Sequence, residues 1–259
     1  MKKSVTALAT AMILMTGAAQ AAETLKVCAE GAYPPFSLTN ESGNLEGFDI
    51  DIANALCDEM GMTCEISATE WDGIIPALLE KKCDAIIASM SITPERKERI
   101  DFSEKYYNTP AKFVARADTD LTDTPEGLED AIVGVQRGTV HQDYMEAKYP
   151  DVELKLYGTQ DEVYLDLQSG RLDAIIQDSV AADDGFLKTP AGENYAFFGR
   201  SHADPKIHGE GAGIGVRKED TELRDKLSAA IKALRENGKY EARPTTSTLI
   251  SISIESRRC

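Results

Sequence analysis

Two short apolar runs of nearly the same sequence constrain the fold of this 259-residue chain more than any other feature. Asp84-Ala85-Ile86-Ile87-Ala88-Ser89 returns later as Asp173-Ala174-Ile175-Ile176-Gln177-Asp178. Each run is typical of a buried parallel strand, and each follows an amphipathic helical stretch, residues 74–82 and 163–171. The repeat therefore predicts two similar α/β units. The alternative is two unrelated strands that happen to share four letters.

The residues that end the two runs are predicted to face a ligand. In open α/β sheets, ligands bind outside the carboxyl ends of the strands. That rule puts Ser89 of one unit and Asp178 of the other beside the bound molecule. A neutral donor set opposite a carboxylate suits a zwitterion.

The segment that follows the first run predicts a carboxylate site. Residues 89–96 read as a loop that enters a helix, with Thr93 suited to the N-cap and Pro94 to the first helical position. Arg96 would then meet hydroxyls and backbone N–H groups at the strand end. An arginine–carboxylate fork is bidentate, and each charge-assisted bond contributes about 1.5–3 kcal/mol. The alternative is a surface arginine in the charged run of residues 95–99.

The amino terminus has the three parts of a secretory signal peptide. Lys2 and Lys3 precede an apolar stretch over residues 5–19, and the small residues around Ala21 suit a cleavage site. This stretch is too short to remain as a membrane-spanning helix. We expect cleavage after Ala21, which gives residues 1–21 as signal peptide and an exported mature chain of 238 residues without membrane insertion.

The charge balance excludes some partners. The signal peptide carries two of the 28 basic residues and none of the 44 acidic ones, so the mature chain has a formal charge of −18. No cluster of Lys and Arg with interleaved aromatics is present, which argues against nucleic acid and anionic membranes. We expect no cofactor, because the glycines of residues 211–215 lack the context of a dinucleotide fingerprint. We also expect no metal, because His141, His202 and His208 share no ligand spacing.

Five cysteines in an exported chain are expected to pair. Cys57 and Cys64 flank a helix end and a turn, so we predict a disulfide between them. Cys28 and Cys83 lie in or beside predicted strands, and whether they pair is left open. Cys259 would be left over.

The predicted elements group into two lobes joined by two connections. We expect residues 22–109 and 211–259 to form the first, discontinuous lobe and residues 110–210 to form the second. The alternating residues 211–216 are predicted to be the strand that returns the chain to the first lobe, before a last helix over residues 219–237.

Several motifs together closely resemble the periplasmic amino-acid-binding proteins of ABC importers (solute-binding protein family 3), in particular the subgroup for lysine, arginine, ornithine and histidine. The motifs are EGAYPPF at residues 30–36, GFDID at 47–51, WDGIIPAL at 71–78, SMSITPER at 89–96 and GRLDAIIQD at 170–178. The resemblance covers the mature chain to about Tyr240. It implies the α/β, two-lobed type II fold, which closes on its ligand by a two-strand hinge. It also implies a monomer in the periplasm that delivers an amino acid to an inner-membrane ABC permease.

The resemblance also implies roles for individual residues at the amino-acid end of the ligand. Arg96 would take the α-carboxylate, helped by Ser91 and by the backbone at Ser89 and Thr139. Asp178 would take the α-ammonium group.

At the other end of the ligand, Tyr33 and Trp71 would enclose the aliphatic stem and stack on its cation, although ordinary packing is the commoner fate of aromatic residues. Glu30 stands where the subgroup has an acid for the distal cation. Gln136 and His141 depart from the residues of a relative near that end. The choice among cationic amino acids and opine-like conjugates is therefore open, with arginine first, then ornithine and lysine.

The end of the chain departs from the family pattern, because residues 242–256 replace a segment rich in Tyr, Phe and Asp. Codons for Pro244 onward can be chosen so that the next frame encodes the family ending. A frameshift near Ala242 is our hypothesis.

Two other functions compete with ligand transport. An exported enzyme on the same fold, similar to a cyclohexadienyl or arogenate dehydratase, would use Glu30 as its acid or base. No Ser/His/Asp triad is evident, so we expect a binding protein and not an enzyme. A receptor's sensory domain is the other alternative, but no transmembrane segment follows the fold.

Overall fold

The structure is a computed structural model that describes residues 22–240. The predicted signal peptide and the tail with its proposed frameshift and Cys259 lie outside the described residues. In chain order the strands are β1 (Thr24–Ala29), β2 (Ala32–Tyr33), β3 (Ser37–Thr39), β4 (Leu45–Glu46), β5 (Thr63–Ala68), β6 (Ala85–Ile86), β7 (Asp101–Phe102), β8 (Ala111–Arg116), β9 (Ile132–Gln136), β10 (Glu153–Tyr157), β11 (Ala174–Asp178), β12 (Tyr195–His202) and β13 (Gly215–Val216). The α-helices are α1 (Phe48–Met60), α2 (Trp71–Leu79), α3 (Pro94–Arg99), α4 (Val140–Lys148), α5 (Gln160–Gln168), α6 (Ser179–Ala182) and α7 (Thr221–Glu236).

Two five-stranded sheets organise the chain. The first has the order β5-β1-β6-β13-β7, and the second has the order β10-β9-β11-β8-β12. β1 is parallel to β5 and β6, while β9 is parallel to β10 and β11. The two repeated runs supply β6 and β11, each the third strand of its sheet, so the prediction of two similar units is confirmed. We call the parts around these sheets the first and the second lobe.

Alternating side chains cover both faces of each sheet. In β1, Leu25 and Val27 belong to the core under α1 and α7, whereas Cys28 belongs to the core under α2. In β11, Ile176 packs into one core of the second lobe and Ile175 into the other. This period of two is what a strand buried on both faces requires.

Two helices begin earlier than their apolar periodicity predicts. α5 starts at Gln160 because Thr159 and Glu162 form a reciprocal capping box. α2 starts at Trp71, three residues before the predicted stretch. Apolar spacing marks the packed face of a helix and not its first turn, which in α5 is determined by the cap.

Both disulfides considered from the sequence are present. Cys57, near the end of α1, bonds to Cys64 in β5. Cys28 in β1 bonds to Cys83, which comes just before the neighbouring strand β6. The Cα atoms are 5.8 Å apart in each pair, within the usual range for a disulfide. Together they tie β1 to β6 and α1 to β5.

The chain crosses between the lobes near Tyr107 and Ala212, which pair with each other in a short antiparallel bridge. Ala212 also pairs with Ser91. The predicted residue limits of the lobes stay a prediction. Within residues 22–240, no helix is both long and apolar enough to span a bilayer.

Candidate ligand-binding site

Two adjoining cavities lie between the lobes. The second cavity shares several lining residues with the first and adds Asp178. The structure therefore brings all ten predicted ligand-binding residues together in one cleft. Nine of them line the first cavity: Glu30, Tyr33, Trp71, Ser89, Ser91, Arg96, Gln136, Thr139 and His141.

Arg96 presents a partly buried cation to the cleft. It lies on α3, where Thr93 accepts the capping hydrogen bond and Pro94 is the first helical residue, as predicted. Its Nη1 donates to the carbonyl oxygen of Ser91 at 2.9 Å, and its Nη2 donates to that of Gly138 at 3.1 Å. No carboxylate in the described part of the chain forms an ion pair with it. Burial lowers the pKa of Arg96 to about 10, so the group remains charged near neutral pH.

Asp178 presents a carboxyl group at the end of β11. Its Oδ1 accepts the N–H groups of Val180 at 2.8 Å and Ala181 at 3.3 Å, which caps α6. Its Oδ2 accepts the hydroxyl of Thr109. Burial raises the pKa of Asp178 to about 7, although the two backbone N–H groups oppose that shift. An ammonium group beside it would return the carboxyl to its charged form.

Glu30 is a second buried carboxyl group, one residue beyond the end of β1. Only 9% of the residue is exposed. Gln136 donates its Nε2 to Glu30 Oε1 at 2.5 Å, which joins the first lobe to the second. Burial raises the pKa of Glu30 to about 7, and repulsion from Asp161 and Asp49 adds to the shift. No cation within the described residues pairs with this group.

Asp49 supports the site from beneath and was not among the predicted site residues. It accepts the hydroxyls of Tyr106 at 2.7 Å and Ser89 at 2.8 Å. Tyr106 in turn accepts the backbone N–H of Ser89 at 3.0 Å. Burial raises the pKa of Asp49 to about 6, against the effect of these hydrogen bonds. The network holds Ser89 at a φ of 53°, a left-handed conformation that costs energy for a residue other than glycine.

The remaining hydroxyl groups are not equally available to a ligand. Thr139 donates its Oγ1 to the carbonyl of Gln136 at 2.7 Å and accepts the N–H of Gln142 as the N-cap of α4. Ser91 Oγ makes no hydrogen bond to another described residue. Ser91 is therefore the hydroxyl best placed to donate to a bound carboxylate.

Both predicted aromatic residues line the cleft, and both also pack against the protein. The guanidinium carbon of Arg96 lies 5.3 Å from the ring centroid of Trp71. Trp71 Nε1 donates to the carbonyl of Gly138 at 3.2 Å. Tyr33 stacks on Phe36 with 5.7 Å between ring centroids. The packing interpretation and the ligand-facing one therefore both describe these side chains.

His141 lies beside another histidine that its spacing did not reveal. Its ring centroid is 6.0 Å from that of His208, which lines the second cavity. Burial, His208 and Arg96 lower the pKa of His141 to about 3. Burial also lowers the pKa of His208 to about 4. Both rings are therefore neutral at physiological pH, and each keeps one buried nitrogen without a hydrogen bond within residues 22–240.

Gln160 is a further cleft residue that sequence reasoning missed. It is 2% exposed, lines the first cavity and has an unpartnered Nε2 in the described structure. Its position as the first residue of a capped helix gives no local signal of a binding role. Among residues 22–240, no group of three or more His, Cys, Asp or Glu side chains is arranged to hold a metal ion.

Comparisons with known proteins show the family and the fold of this chain. The model of the bacterial extracellular solute-binding proteins, family 3, matches residues 25–244. The L-arginine-binding protein of Pseudomonas aeruginosa is 51% identical over 84% of this chain and 85% of its own length. The lysine/arginine/ornithine-binding periplasmic protein of Escherichia coli is 41% identical over 93% of this chain and 95% of its own. These relatives confirm the subgroup resemblance.

A solved structure confirms the fold class. A Salmonella typhimurium periplasmic binding protein described for its high arginine specificity superposes with a TM-score of 0.78 at 33% identity. The match covers 85% of this chain and 96% of that one. The architecture is thus the α/β, two-lobed periplasmic-binding-protein fold, type II. By family model, close relatives and fold, the chain belongs to the bacterial extracellular solute-binding proteins, family 3.

Proposed function

We propose that the protein is the periplasmic solute-binding component of an ABC importer and that it binds a cationic L-amino acid by closure of its lobes. One observation carries the proposal: a partly buried guanidinium without an ion-pair partner among the described residues, Arg96, shares a cleft with two buried carboxyl groups, Glu30 and Asp178. A cationic amino acid has one carboxylate and two cationic groups. Each of its three charged groups therefore has a partner of opposite charge in the cleft.

The amino-acid end of the ligand is assigned by charge and by free donors. Arg96 takes the α-carboxylate, because the hydrogen bonds of its guanidinium within the described protein go only to carbonyl oxygens. Ser91 adds its hydroxyl, and the backbone at Ser89 and Thr139 completes the carboxylate site. Asp178 takes the α-ammonium group.

The distal end of the ligand is assigned to the part of the cleft around Glu30. Tyr33 and Trp71 enclose the aliphatic stem. Glu30 pairs with the distal cation and is held by Gln136. His141 lies at the border of the two cavities and offers a neutral imidazole to the ligand.

Arginine is the first choice of ligand, followed by ornithine and lysine. The long side chain of arginine and its planar guanidinium suit stacking on aromatic faces and a paired contact with a carboxylate. The names of the relatives support this class. Opine-like conjugates remain the second choice, since they share the cationic side chain.

We infer that the protein binds its ligand without chemical conversion. The dehydratase alternative needs an acid or base beside the bound carboxylate. Glu30 is committed to Gln136 and to the distal cation in our assignment, and the relatives named above are binding proteins.

The proposal also covers the export of the protein, its oligomeric state, its permease partner and the limits of its lobes. Cleavage after Ala21 releases it to the periplasm, where it acts as a monomer and docks on an inner-membrane permease. Residues 22–109 with 211–259 form one lobe, and residues 110–210 form the other. Amino-terminal sequencing of the exported protein, which should begin at Ala22, tests the first step.

Calorimetric titration of the purified mature protein tests the ligand class. The ligands are arginine, ornithine, lysine, histidine, glutamine, glutamate and the opine octopine. We expect the cationic amino acids to bind tightest and glutamate to bind weakly or not at all. Tighter binding of glutamate or glutamine than of all the cationic ligands would overturn the assignment of Glu30. Binding of none would overturn the proposed function.

A further inference from the structure

The rim of the cleft is bridged by an ion pair outside both cavities. Asp72 lies in the first turn of α2 in the first lobe, and Arg137 directly follows β9 in the second. Arg137 donates Nε at 2.9 Å and Nη2 at 2.6 Å to a single carboxylate oxygen of Asp72. About half of each side chain is exposed, 49% for Arg137 and 45% for Asp72. Neither residue lines the two cavities of the site.

The backbone on both sides holds this pair in position. The N–H of Arg137 donates to the carbonyl of Tyr157 at 2.9 Å, which fixes it to the edge of the second sheet. The next residue, Gly138, has a φ of 69° and donates its N–H to Gln142 Oε1 at 2.7 Å. On the other side, Asp72 lies where the helix dipole favours a negative charge. Hydrogen bonding to Asp72 raises the pKa of Arg137, so the guanidinium stays charged throughout the physiological range.

The same turn makes two more contacts across the cleft. The carbonyl of Gly138 accepts Trp71 Nε1 at 3.2 Å and Arg96 Nη2 at 3.1 Å. Both donors are proposed ligand-binding residues of the first lobe. A side chain at Gly138 would put its Cβ 3.5 Å from Trp71 Nε1, besides the strain of the positive φ. The four residues therefore form a rim latch, which we define as Asp72 and Trp71 on one side with Arg137 and Gly138 on the other.

We propose that Asp72 and Arg137 determine the affinity of the protein for its ligands without touching them, by slowing the opening of the closed lobes. This inference rests on the proposed function, since it needs a ligand held between the lobes. An interaction made only in the closed state stabilises every complex by the same factor, whichever ligand is bound. The pair acts on the dissociation rate more than on ligand choice.

The expected change in the dissociation rate follows from the exposure of this ion pair. Exposed ion pairs are weak, so loss of this one should raise the dissociation rate roughly two- to fivefold. The effect should shrink as salt is added, because the Debye length falls from about 10 Å at 0.1 M to about 3 Å at 1 M. Substitution of a ligand-contacting residue should change the dissociation rate more, and by a different factor for each ligand.

Stopped-flow dissociation of arginine and of lysine tests the proposal in four variants of the mature protein. Asp72→Asn and Arg137→Gln each remove one charge. The double variant Asp72→Arg with Arg137→Asp restores the ion pair with the two charges in exchanged positions. Arg116→Gln is the matched control, because its exposed ion pair with Asp118 lies within the second lobe.

We expect each single variant to speed the release of both ligands by the same two- to fivefold factor. The double exchange should return the rate to within twofold of the parent, and the control should leave it unchanged. Unchanged rates in both single variants, a different factor for the two ligands, or no recovery in the double exchange would each overturn the proposal. Failure of the parent protein to bind any of the seven ligands in the calorimetric titration would instead overturn the proposed function, so the two failures are distinct.

Discussion

Arginine should outcompete citrulline in a strongly pH-dependent way. Citrulline has the same stem and the same α-groups as arginine but carries an uncharged urea in place of the guanidinium. Only arginine therefore gives Glu30 a cationic partner. In the protein, burial raises the pKa of this carboxyl group from 4.5 to about 7. A guanidinium in contact with it should lower the pKa again, because an opposite charge favours the ionised form.

The sign and size of the effect follow from proton linkage. Since bound arginine depresses the pKa of Glu30, its advantage is fully present above pH 7 and is lost as the pH falls from about 7 toward 4.5. One pKa unit is worth about 1.36 kcal/mol, so a complete return to 4.5 is worth at most about 3.4 kcal/mol, or roughly 300-fold in affinity. Asp178 also has a pKa raised to about 7, but it meets the same ammonium group in both ligands and cancels in their ratio.

Calorimetry at pH 8, 7, 6 and 5 with both ligands measures this ratio. In the parent protein, the preference for arginine should decline toward tenfold per pH unit below 7. Glu30→Gln is the control, because glutamine keeps an acceptor for Gln136 Nε2 and cannot titrate. Its ratio should be small and flat across the pH range. A constant ratio in the parent, or the same slope in Glu30→Gln, would refute the reasoning.

Three further predictions concern the ends of the site and its framework. Arg96→Gln should weaken arginine binding by about 2–5 kcal/mol, since the ligand carboxylate is left buried without a charged partner; an unchanged calorimetric affinity would exclude Arg96 from the site. Asp178→Asn should weaken binding by a similar amount while the unfolding midpoint changes little, because asparagine still caps a helix; an equal loss of stability and affinity would point to a structural role instead. Replacing both Cys28 and Cys83 by alanine should lower the free energy of unfolding by about 4 kcal/mol in the chain-entropy model, and removing the Cys57–Cys64 disulfide should lower it by about 2 kcal/mol. The difference arises because the sequence separations are 55 and 7. Denaturant titration of both double variants measures the two losses, and a larger loss without Cys57–Cys64 would contradict the prediction.

Some of the residues that face the cleft could be found from local sequence patterns, because they lie at strand ends and helix starts. Ser89 and Asp178 end the repeated runs, and Thr93 caps the helix of Arg96. Such positions follow from local patterns and from sheet topology. Glu30, Tyr33, Trp71, Gln136 and His141 also line the two cavities, but they were implied only by the resemblance to the family.

The supporting residues could not be found in this way, since they depend on contacts between distant segments. Asp49 reaches Ser89 across 40 residues and Tyr106 across 57. Arg137 reaches Asp72 across 65 residues and between lobes. A carboxylate in the first turn of a helix, such as Asp49, is more often a solvated end charge than a buried acceptor. Only tertiary structure distinguishes the two.

Arg96 and Glu30, which face opposite ends of the proposed ligand, respond differently to protons, and this difference bears on selectivity. Arg96 keeps its charge, because its pKa of about 10 lies well above neutral pH. If Arg96 binds the α-carboxylate as proposed, every ligand should need that group. Glu30, in contrast, can hold a proton when no cation faces it, since its pKa is about 7. When a ligand with a neutral side chain binds, the free-energy cost is that of protonating this carboxyl group and not that of burying an unpaired charge. The preference for cationic over neutral amino acids is thus limited by the pKa of Glu30, and it should be lowest in acid and highest above pH 7.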